Sequence, residues 1–158
     1  MTDEEKAYIA GFLDGDGCIM AQLVRRKDYI YGFQIRTSIV FYQKQTHREF
    51  LSWLKHKLHY GYIRDRNDGM SEYTIVGFKA VGETLQLLAP FLRLKKTLAT
   101  KVINLISKHP KKMDAESLIK LSKLVDETAS FNYSKKRTNT SESVLNFLKN
   151  RNLVPVET

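Results

Sequence analysis

The sequence of 158 residues has a single cysteine, Cys18, and no long uninterrupted apolar run. A lone cysteine excludes an intramolecular disulfide and a cysteine-based zinc site. Because Lys, Arg or Gln interrupts each apolar stretch well before 18 residues, the sequence predicts no transmembrane helix. The stretch MTDEEKAY is acidic and lacks an apolar segment, so we expect no secretory signal and no arginine-rich transit peptide. These absences predict a soluble protein with no membrane partner.

The composition is that of a globular protein, with 42% hydrophobic and 27% charged residues. A chain of this length is long enough to bury one substantial core. We therefore predict a single domain over residues 1–150, followed by a frayed tail over residues 151–158.

The charge is strongly positive and unevenly distributed. The formal net charge is +9, but residues 1–19 carry a net −4 and residues 20–66 a net +7. An acidic focus beside a basic stretch is typical of a metal-dependent enzyme that acts on a polyanion. The charge alone would favour a basic, ribosome-associated or otherwise non-specific protein.

The first third of the chain reads as a helix followed by a hairpin. Thr2 to Glu5 form a capping box of the S/T-x-x-E type, which predicts a helix from residue 3 to the Gly15-Asp16-Gly17 stop. From Cys18 the runs CIMAQLVRR and FQIRTSIVFYQ flank a turn, and the second run alternates apolar and polar residues. This period of two predicts two half-buried antiparallel strands.

The rest of the chain repeats this order and then becomes helical. Thr46 to Glu49 read as a second capping box, and the runs GYIRDR and SEYTIVG flank an Asn67-Asp68-Gly69 hairpin turn. Further helices are predicted near 79–89, 94–107, 114–129 and 141–149. The predicted fold class is α+β, with a four-stranded antiparallel sheet and the helices gathered on one face.

Small residues form a stripe along the first helix. Ala7, Gly11 and Gly15 are spaced four residues apart, and each interior glycine costs about 1 kcal/mol relative to alanine. Close approach of a second helix explains such a stripe. That helix belongs either to the same chain or to a second copy of it.

Acidic side chains close the same helix. Asp14 and Asp16 lie at its C-terminal end, where the helix dipole disfavours negative charge. A divalent cation would offset that cost, because Mg²⁺ and Ca²⁺ prefer carboxylate and carbonyl oxygens. If the helix pairs with its own copy, the two Asp16 carboxylates flank one place, an arrangement suited to metal-assisted phosphodiester hydrolysis.

The run from Ile9 to Gly17, IAGFLDGDG, resembles the LAGLIDADG motif of homing endonucleases. The motif occurs once, and GYIRDR, PFLRLKK, Ser134-Lys135 and residues 140–142 also resemble the single-motif homodimeric branch that introns of algal chloroplast ribosomal RNA genes encode. The resemblance implies the fold α-β-β-α-β-β-α with extra C-terminal helices, dimerised through the first helix by Ala7, Gly11 and Gly15.

The resemblance also implies an activity. Such a homodimer recognises a long pseudo-palindromic double-stranded DNA site, cuts across the minor groove to leave 3′ overhangs and promotes intron homing. It implies Mg²⁺ as the cofactor, with Mn²⁺ as a substitute, Ca²⁺ binding without efficient cleavage and no small-molecule cofactor. It places the protein in an organelle, the chloroplast in preference to the mitochondrion. The alternative is a cleavage-inactive DNA- or RNA-binding protein on this scaffold, an intron maturase or a regulator.

Specific residues inherit roles from the resemblance. Asp16 would bind metal through its carboxylate and Gly15 through its carbonyl. Gln43 would order water near the scissile phosphate, and Lys95 would act electrostatically. Relatives carry an arginine where this chain has His47, so either Arg48 takes over that role or the role is vacant.

Recognition is expected from the solvent face of the two hairpins, because a two-stranded ribbon fits the major groove. The candidate base readers are Gln22, Val24, Arg26, Tyr29, Gln34, Arg36, Ser38, Val40, Arg64, Arg66, Glu72 and Thr74. Lys135 and Lys136 are candidate phosphate contacts, which position the DNA without reading it.

Overall fold

The computed structural model describes residues 1–132 and 136–156. Within them the order of elements is the predicted one, helix, hairpin, helix, hairpin and then helices. The elements are α1 (Asp3–Asp16), β1 (Gly17–Arg25), β2 (Phe33–Lys44), α2 (Arg48–Leu58), β3 (Tyr62–Asp65), β4 (Met70–Val76), α3 (Phe78–Leu88), α4 (Lys96–Ser107), α5 (Ala115–Ala129) and α6 (Ser141–Asn150). The strands form one antiparallel sheet in the order β1-β2-β4-β3, which confirms the predicted α+β class.

The chain divides into two compact units. The first comprises residues 1–19 and 37–103, and the second comprises residues 20–36 and the described part of 104–158. The single domain over 1–150 and the frayed tail over 151–158 stay predictions. None of the described helices is long and apolar enough to cross a membrane.

α1 begins and ends where the sequence predicts. The Thr2 side chain accepts a hydrogen bond from the Glu5 N–H, and the Glu5 carboxylate accepts one from the Thr2 N–H, so the capping box is complete. At the other end a Cβ on Gly17 would lie 2.5 Å from the Leu13 side chain and 2.9 Å from its Cα. Only glycine therefore lets the chain turn directly from α1 into β1.

The second predicted capping box is wrong. Gln45–His47 form a 3₁₀ turn, and α2 starts at Arg48 with no side-chain cap. The backbone N–H of Gln45 donates to the carbonyl of Gly69, and its side chain donates to the carbonyl of Arg66. These bonds to the β3–β4 turn hold the segment in a geometry that the local pattern does not encode.

The core of the first unit lies between the sheet and α1. Phe41 in β2 is paired with Tyr73 in β4, and their rings stack at 5.7 Å. Phe12 of α1 stacks on Phe41 at 6.0 Å, and Ile9 and Leu13 are fully buried. One face of the sheet is therefore covered by α1, and the alternate residues of β2 point to the other face.

The second unit is held together by α5 and α6 with the β1–β2 hairpin. Asp114 caps α5 as predicted, accepting from the Ser117 N–H at 2.7 Å. The Asp126 carboxylate accepts from the Arg137 guanidinium and from the Ser141 N–H at the start of α6. The buried apolar residues of this unit include Leu23, Phe33, Ile35, Leu118, Leu121, Val125, Val144 and Leu148.

Candidate active site and nucleic-acid interface

The carboxylate of Asp14 anchors a distant loop. One oxygen accepts from the N–H groups of Arg93 and Leu94 at 2.7 and 3.2 Å, and the other accepts from the N–H of Lys95 at 2.9 Å. Three donors therefore stabilise a negative charge that the helix dipole disfavours. Backbone N–H groups of the chain itself therefore offset the cost that was expected to call for a metal at Asp14.

Lys95 is held at the end of α1 by the same residue. Its Nζ donates to the carbonyl oxygen of Asp14 at 2.6 Å, a position where a cation complements the helix dipole. The ammonium also lies close enough to Cys18 to influence it. Burial raises the pKa of the Cys18 thiol, and the nearby Lys95 charge opposes that rise. Lys95 is thus placed beside the motif, as the resemblance implies, and its electrostatic role stays a prediction.

Asp16 differs from Asp14 in its exposure and in its partners. It is the last residue of α1 and is exposed, and within residues 1–132 and 136–156 its carboxylate has no hydrogen-bond or ion-pair partner. Gly15 beside it is also exposed, and both carbonyls lie in the last turn, where a helix leaves its carbonyls without intrahelical partners. The end of α1 therefore presents oxygen atoms that are free to bind a ligand.

These donors fit a hard divalent cation but form only part of a site. Among the described residues no group of three or more His, Cys, Asp or Glu side chains is arranged to hold a metal. Mg²⁺ is commonly bound by one or two carboxylates, with water and substrate phosphates supplying the other ligands. One Asp16 and the adjacent carbonyl of Gly15 match that pattern, provided that a second copy and a bound phosphate add further oxygens.

Three further residues were predicted to take part in catalysis, namely Gln43, Arg48 and His47. Gln43 is half-buried on the same side of β2 as Phe41, and its side-chain oxygen accepts from the Lys44 N–H at 3.0 Å. Arg48 is engaged elsewhere, because its Nε donates to Asp65 at 2.9 Å. His47 is exposed at the start of α2. The structure therefore gives Arg48 a partner in β3, and the catalytic roles of Gln43 and His47 stay predictions.

The small-residue stripe of α1 faces open space within the described chain. Ala7, Gly11 and Gly15 are exposed, and a Cβ built on either glycine meets nothing within 4 Å. The interpretation that the stripe packs against another helix of the same chain is therefore wrong for the described residues.

Exposure divides the predicted base readers into two groups. Nine of them are exposed or half-buried, namely Gln22, Val24, Arg26, Tyr29, Gln34, Arg36, Arg64, Arg66 and Glu72. Ser38, Val40 and Thr74 lie on the same face but are only 2%, 6% and 5% exposed, so the prediction that they are open to solvent is wrong. Their role in reading bases stays a prediction. These short side chains lie in the middle of the sheet, where Val40 pairs with Thr74. The neighbouring cross-strand row consists of the longer side chains of Tyr42, Glu72 and Arg64.

Arg64 and Arg66, two of the exposed arginines, are held in ion pairs with acidic neighbours. Arg64 pairs with Glu72 across the β3–β4 ladder at 2.6 Å, and Arg66 pairs with Asp68 at 2.8 Å. Pairs this exposed contribute little to stability, so they orient the guanidinium groups without preventing their release to a ligand. Of the two candidate phosphate contacts, Lys136 is exposed and Lys135 lies outside the described residues.

The sequence did not predict the anchoring role of Asp14. Its position at the helix end marks it as unusual, but its partners lie about 80 positions further along the chain. No local pattern links an aspartate in α1 to the backbone before α4, so only the folded structure identifies it as an anchor.

Comparison with known proteins assigns the family. The LAGLIDADG endonuclease family matches residues 9–107. The chain is 40% identical over 143 residues to the DNA endonuclease I-CvuI of Chlorella vulgaris, covering 90% of this chain and 89% of that protein. It is 36% identical over 138 residues to the DNA endonuclease I-CreI of Chlamydomonas reinhardtii, covering 87% and 84%.

Solved structures show the same likeness. The crystal structure of the homing endonuclease I-CvuI in complex with its target, in the presence of Ca, matches with a TM-score of 0.92 and 38% identity, covering 96% of this chain and 97% of that one. The archaeal homing endonuclease I-Vdi141I, complexed with DNA, shares the fold at a TM-score of 0.84 and 21% identity, covering 96% and 99%. The match over residues 9–107, which includes the motif that ends at Asp16 and Gly17, together with these identities, shows that the chain belongs to the LAGLIDADG endonuclease family.

Proposed function

We propose that this protein is a homing endonuclease that binds a long pseudo-palindromic DNA site as a homodimer and cuts both strands with the help of Mg²⁺. The observation that carries the proposal is the free carboxylate of Asp16 at the end of α1, on a chain whose relatives are DNA endonucleases. A cleavage-inactive binding protein would have no need of an exposed metal-binding oxygen at this point.

Open space along α1 supports the homodimer. The stripe of Ala7, Gly11 and Gly15 allows a second helix to approach closely, since none of these residues has a large side chain. Near it Tyr8 is 59% exposed although its ring packs edge-on against Phe50 and Trp53. An aromatic surface of this kind beside a helix stripe favours burial against a second copy.

Two copies complete the site that one copy begins. A two-fold axis along the stripe brings the two α1 C-terminal ends together, so that two Asp16 carboxylates and two Gly15 carbonyls face the same region. Two carboxylates, together with water and phosphate oxygens, are a ligand set suited to Mg²⁺, and Mn²⁺ would bind in its place. Ca²⁺ would bind there and support little cleavage.

The chain itself performs the remaining tasks of the reaction. A bound divalent cation supplies charge neutralisation at the phosphate and a lowered pKa for attacking water. Lys95, fixed by Asp14, places a positive charge near the developing negative charge. Gln43 orients water by hydrogen bonding. The exposed arginines and glutamines of the two hairpins hold the DNA in register, with Arg suited to guanine and Gln to adenine.

The relatives suggest the biological setting. I-CvuI and I-CreI come from green algae, and I-CvuI is a homing endonuclease. We therefore assign this protein to the propagation of an intron in an organelle genome, in the chloroplast. The overhangs left by cleavage would be 3′, as the family resemblance implies.

The proposal is tested with a pool of linear duplexes that carry randomised sites. The pool is incubated with the protein and Mg²⁺, with the protein and EDTA, or with Mg²⁺ alone, and the cut ends are sequenced. We expect recovery of one pseudo-palindromic consensus with 3′ overhangs in the first reaction only. A parallel reaction with Mn²⁺ and sequencing of the uncut duplexes that the protein retains complete the test. Retention of a consensus without any cleavage in Mg²⁺ or Mn²⁺ would support the cleavage-inactive alternative instead.

A further inference from the structure

The loop that joins β1 to β2 is closed by its own backbone. Residues 26–32 form this tip loop. Its two ends are joined by a hydrogen bond of 2.8 Å from the Arg26 N–H to the Gly32 carbonyl. Inside it the Gly32 N–H donates to the Tyr29 carbonyl at 2.9 Å. β1 begins next to Asp16 and ends at Arg25, so the tip loop lies at the end of the strand furthest from the proposed cleavage site.

Arg25 fastens the base of this loop to α6. Its Nη1 donates to the carbonyl of Gly32 at 2.5 Å and to that of Arg26 at 3.3 Å. The same guanidinium lies over the ring of Phe147, with its carbon 4.2 Å from the ring centre, and over the ring of Phe33 at 5.3 Å. One side chain thus bonds to both ends of the loop and stacks on the helix behind it.

The residues around Arg25 are closely packed. Phe33 and Phe147 meet edge to face at 5.8 Å, which fixes the ring on which Arg25 rests. Gly32 has a φ of +75°, and a Cβ there would lie 2.5 Å from both the Arg25 guanidinium and the Phe147 ring. Residue 32 must therefore be glycine for two reasons. Its backbone conformation disfavours a side chain, and Arg25 and Phe147 leave no space for one.

The loop carries polar side chains that are arranged with respect to one another. Arg26 donates to both oxygens of Asp28 at 3.2 Å and to the side-chain oxygen of Gln34 at 3.3 Å. Its guanidinium also lies 5.3 Å from the ring centre of Tyr29. Arg26, Tyr29 and Gln34 are candidate base readers, and Ile30 at the tip is 71% exposed. A shift of the loop base would move Arg26, Tyr29 and Ile30 together and would disturb the hydrogen bond from Arg26 to Gln34 in β2.

We propose that Arg25 and Phe147 are specificity-determining positioning residues, which fix the tip loop for reading the outermost base pairs of each half-site without contacting a base themselves. The inference rests on the proposed function, since it assigns a task within DNA recognition. Arg25 holds the two ends of the loop, and Phe147 of α6 holds Arg25. Specificity at the edge of the target then depends on a helix that carries no predicted base reader.

The test is a binding selection on the full-length chain in Ca²⁺, from duplexes with randomised sites, sequenced to give the base preference at each position. The variants are Arg25→Ala, Arg25→Lys, Phe147→Leu and Phe147→Tyr, with Arg151→Ala as the matched control. Arg151 lies 5.3 Å from the same ring but is not bonded to the loop. As a control, the thermal unfolding of each variant is measured to check that the variant is folded.

We expect Arg25→Ala and Phe147→Leu to lower the preference at the two or three outermost base pairs by about tenfold and to leave the inner positions unchanged. Arg25→Lys should behave like Arg25→Ala, because it keeps the charge but loses the planar fork. Phe147→Tyr and Arg151→Ala should keep the wild-type profile.

Two results would overturn the inference while leaving the proposed function intact. One is an unchanged profile for Phe147→Leu. The other is a uniform affinity loss for Arg25→Ala with a shallower salt slope and with Arg25→Lys unaffected, which would make Arg25 a phosphate contact. If the wild-type chain enriches no sequence, the proposed function fails, and this inference fails with it.

Discussion

Two carboxylates near the end of α1 are separated by one residue and have opposite surroundings. Asp14 accepts three backbone N–H groups from residues 93–95, and its carbonyl accepts Lys95 Nζ. Asp16 is exposed, and the part of the chain that the structure describes offers its carboxylate no partner. Both belong to the same motif, and both face the unfavourable end of the helix dipole.

The difference teaches that one motif performs two separate tasks. Asp14 has its charge satisfied inside the chain, so it fixes the loop that carries Lys95. Asp16 has a charge that no residue in 1–132 or 136–156 satisfies, so it is available to a cation. Stability should therefore depend on the first carboxylate and chemistry on the second.

The largest expected effect is that of Asp16→Asn on cleavage. A neutral amide is a poorer ligand for a hard cation, so the rate of strand cleavage should fall by about a thousandfold or more. Affinity for DNA in Ca²⁺-free buffer should persist or rise, because a negative charge near the phosphates is removed. Single-turnover cleavage and gel-shift measurements on one batch of protein check both expectations. A variant that folds, binds and still cuts near the wild-type rate would show that Asp16 is not the metal ligand.

The stripe of α1 provides the next largest effect, because the account requires two copies of Asp16. In a lone chain Gly11→Ala should stabilise α1, since the site is open and alanine is favoured by about 1 kcal/mol. In a dimer packed on this stripe, Gly11→Leu should abolish association, and Gly11→Ala should weaken it. Sedimentation velocity over a concentration series measures this. A wild-type chain that sediments as a monomer at all concentrations, with or without DNA, would contradict the paired site.

Asp14→Ala tests the structural half of the comparison. It leaves the backbone N–H groups of residues 93–95 without their acceptor, although the backbone carbonyl that accepts from Lys95 Nζ remains. The free energy of unfolding should therefore fall by about 2–3 kcal/mol. Urea denaturation followed by circular dichroism gives this difference. The control is Asp16→Ala, which should change the unfolding free energy by less than about 0.5 kcal/mol. Equal effects of the two substitutions would remove the distinction between them.

The smallest expected effect concerns a third carboxylate, that of Asp65, and the pH dependence of its contribution to stability. The hydrogen bond from Ser71 and the Arg48 guanidinium lower the pKa of Asp65 below its ordinary value, while partial burial opposes this. A lowered pKa means that the carboxylate stabilises the fold above its ordinary titration range and loses this effect as the pH falls through the lowered value. The melting temperature of the wild type should therefore exceed that of Asp65→Asn at pH 7, and the gap should narrow as the pH falls through the lowered pKa. A gap that is constant with pH would contradict this assignment.

Local signals allowed much of the fold to be predicted. The capping box at Thr2 and the Asn67-Asp68-Gly69 turn depend on neighbours in sequence, and the structure contains the predicted helix and hairpin at both places. The capping box predicted at Thr46 does not form, because Gln45 is hydrogen-bonded to a turn more than 20 positions away. Long-range contacts overrode the local preference there.

The site was predictable only in part for the same reason. The motif identified Asp16, and the spacing of Gly11 and Gly15 indicated a helix interface. The anchoring role of Asp14 and the pairing of Arg48 with Asp65 depend on contacts between residues far apart in sequence. Alternation along β2 gave the face of Ser38 and Val40 but not their burial, which depends on the neighbouring strand.

The most direct test of the division between the two carboxylates is calorimetric titration of Ca²⁺ into the protein–DNA complex. Wild type, Asp16→Asn and Asp14→Asn are compared at a temperature at which all three are folded. We expect the binding heat to disappear in Asp16→Asn and to remain in Asp14→Asn. Persistence of Ca²⁺ binding in Asp16→Asn together with its loss in Asp14→Asn would contradict the account and assign the metal to the other carboxylate.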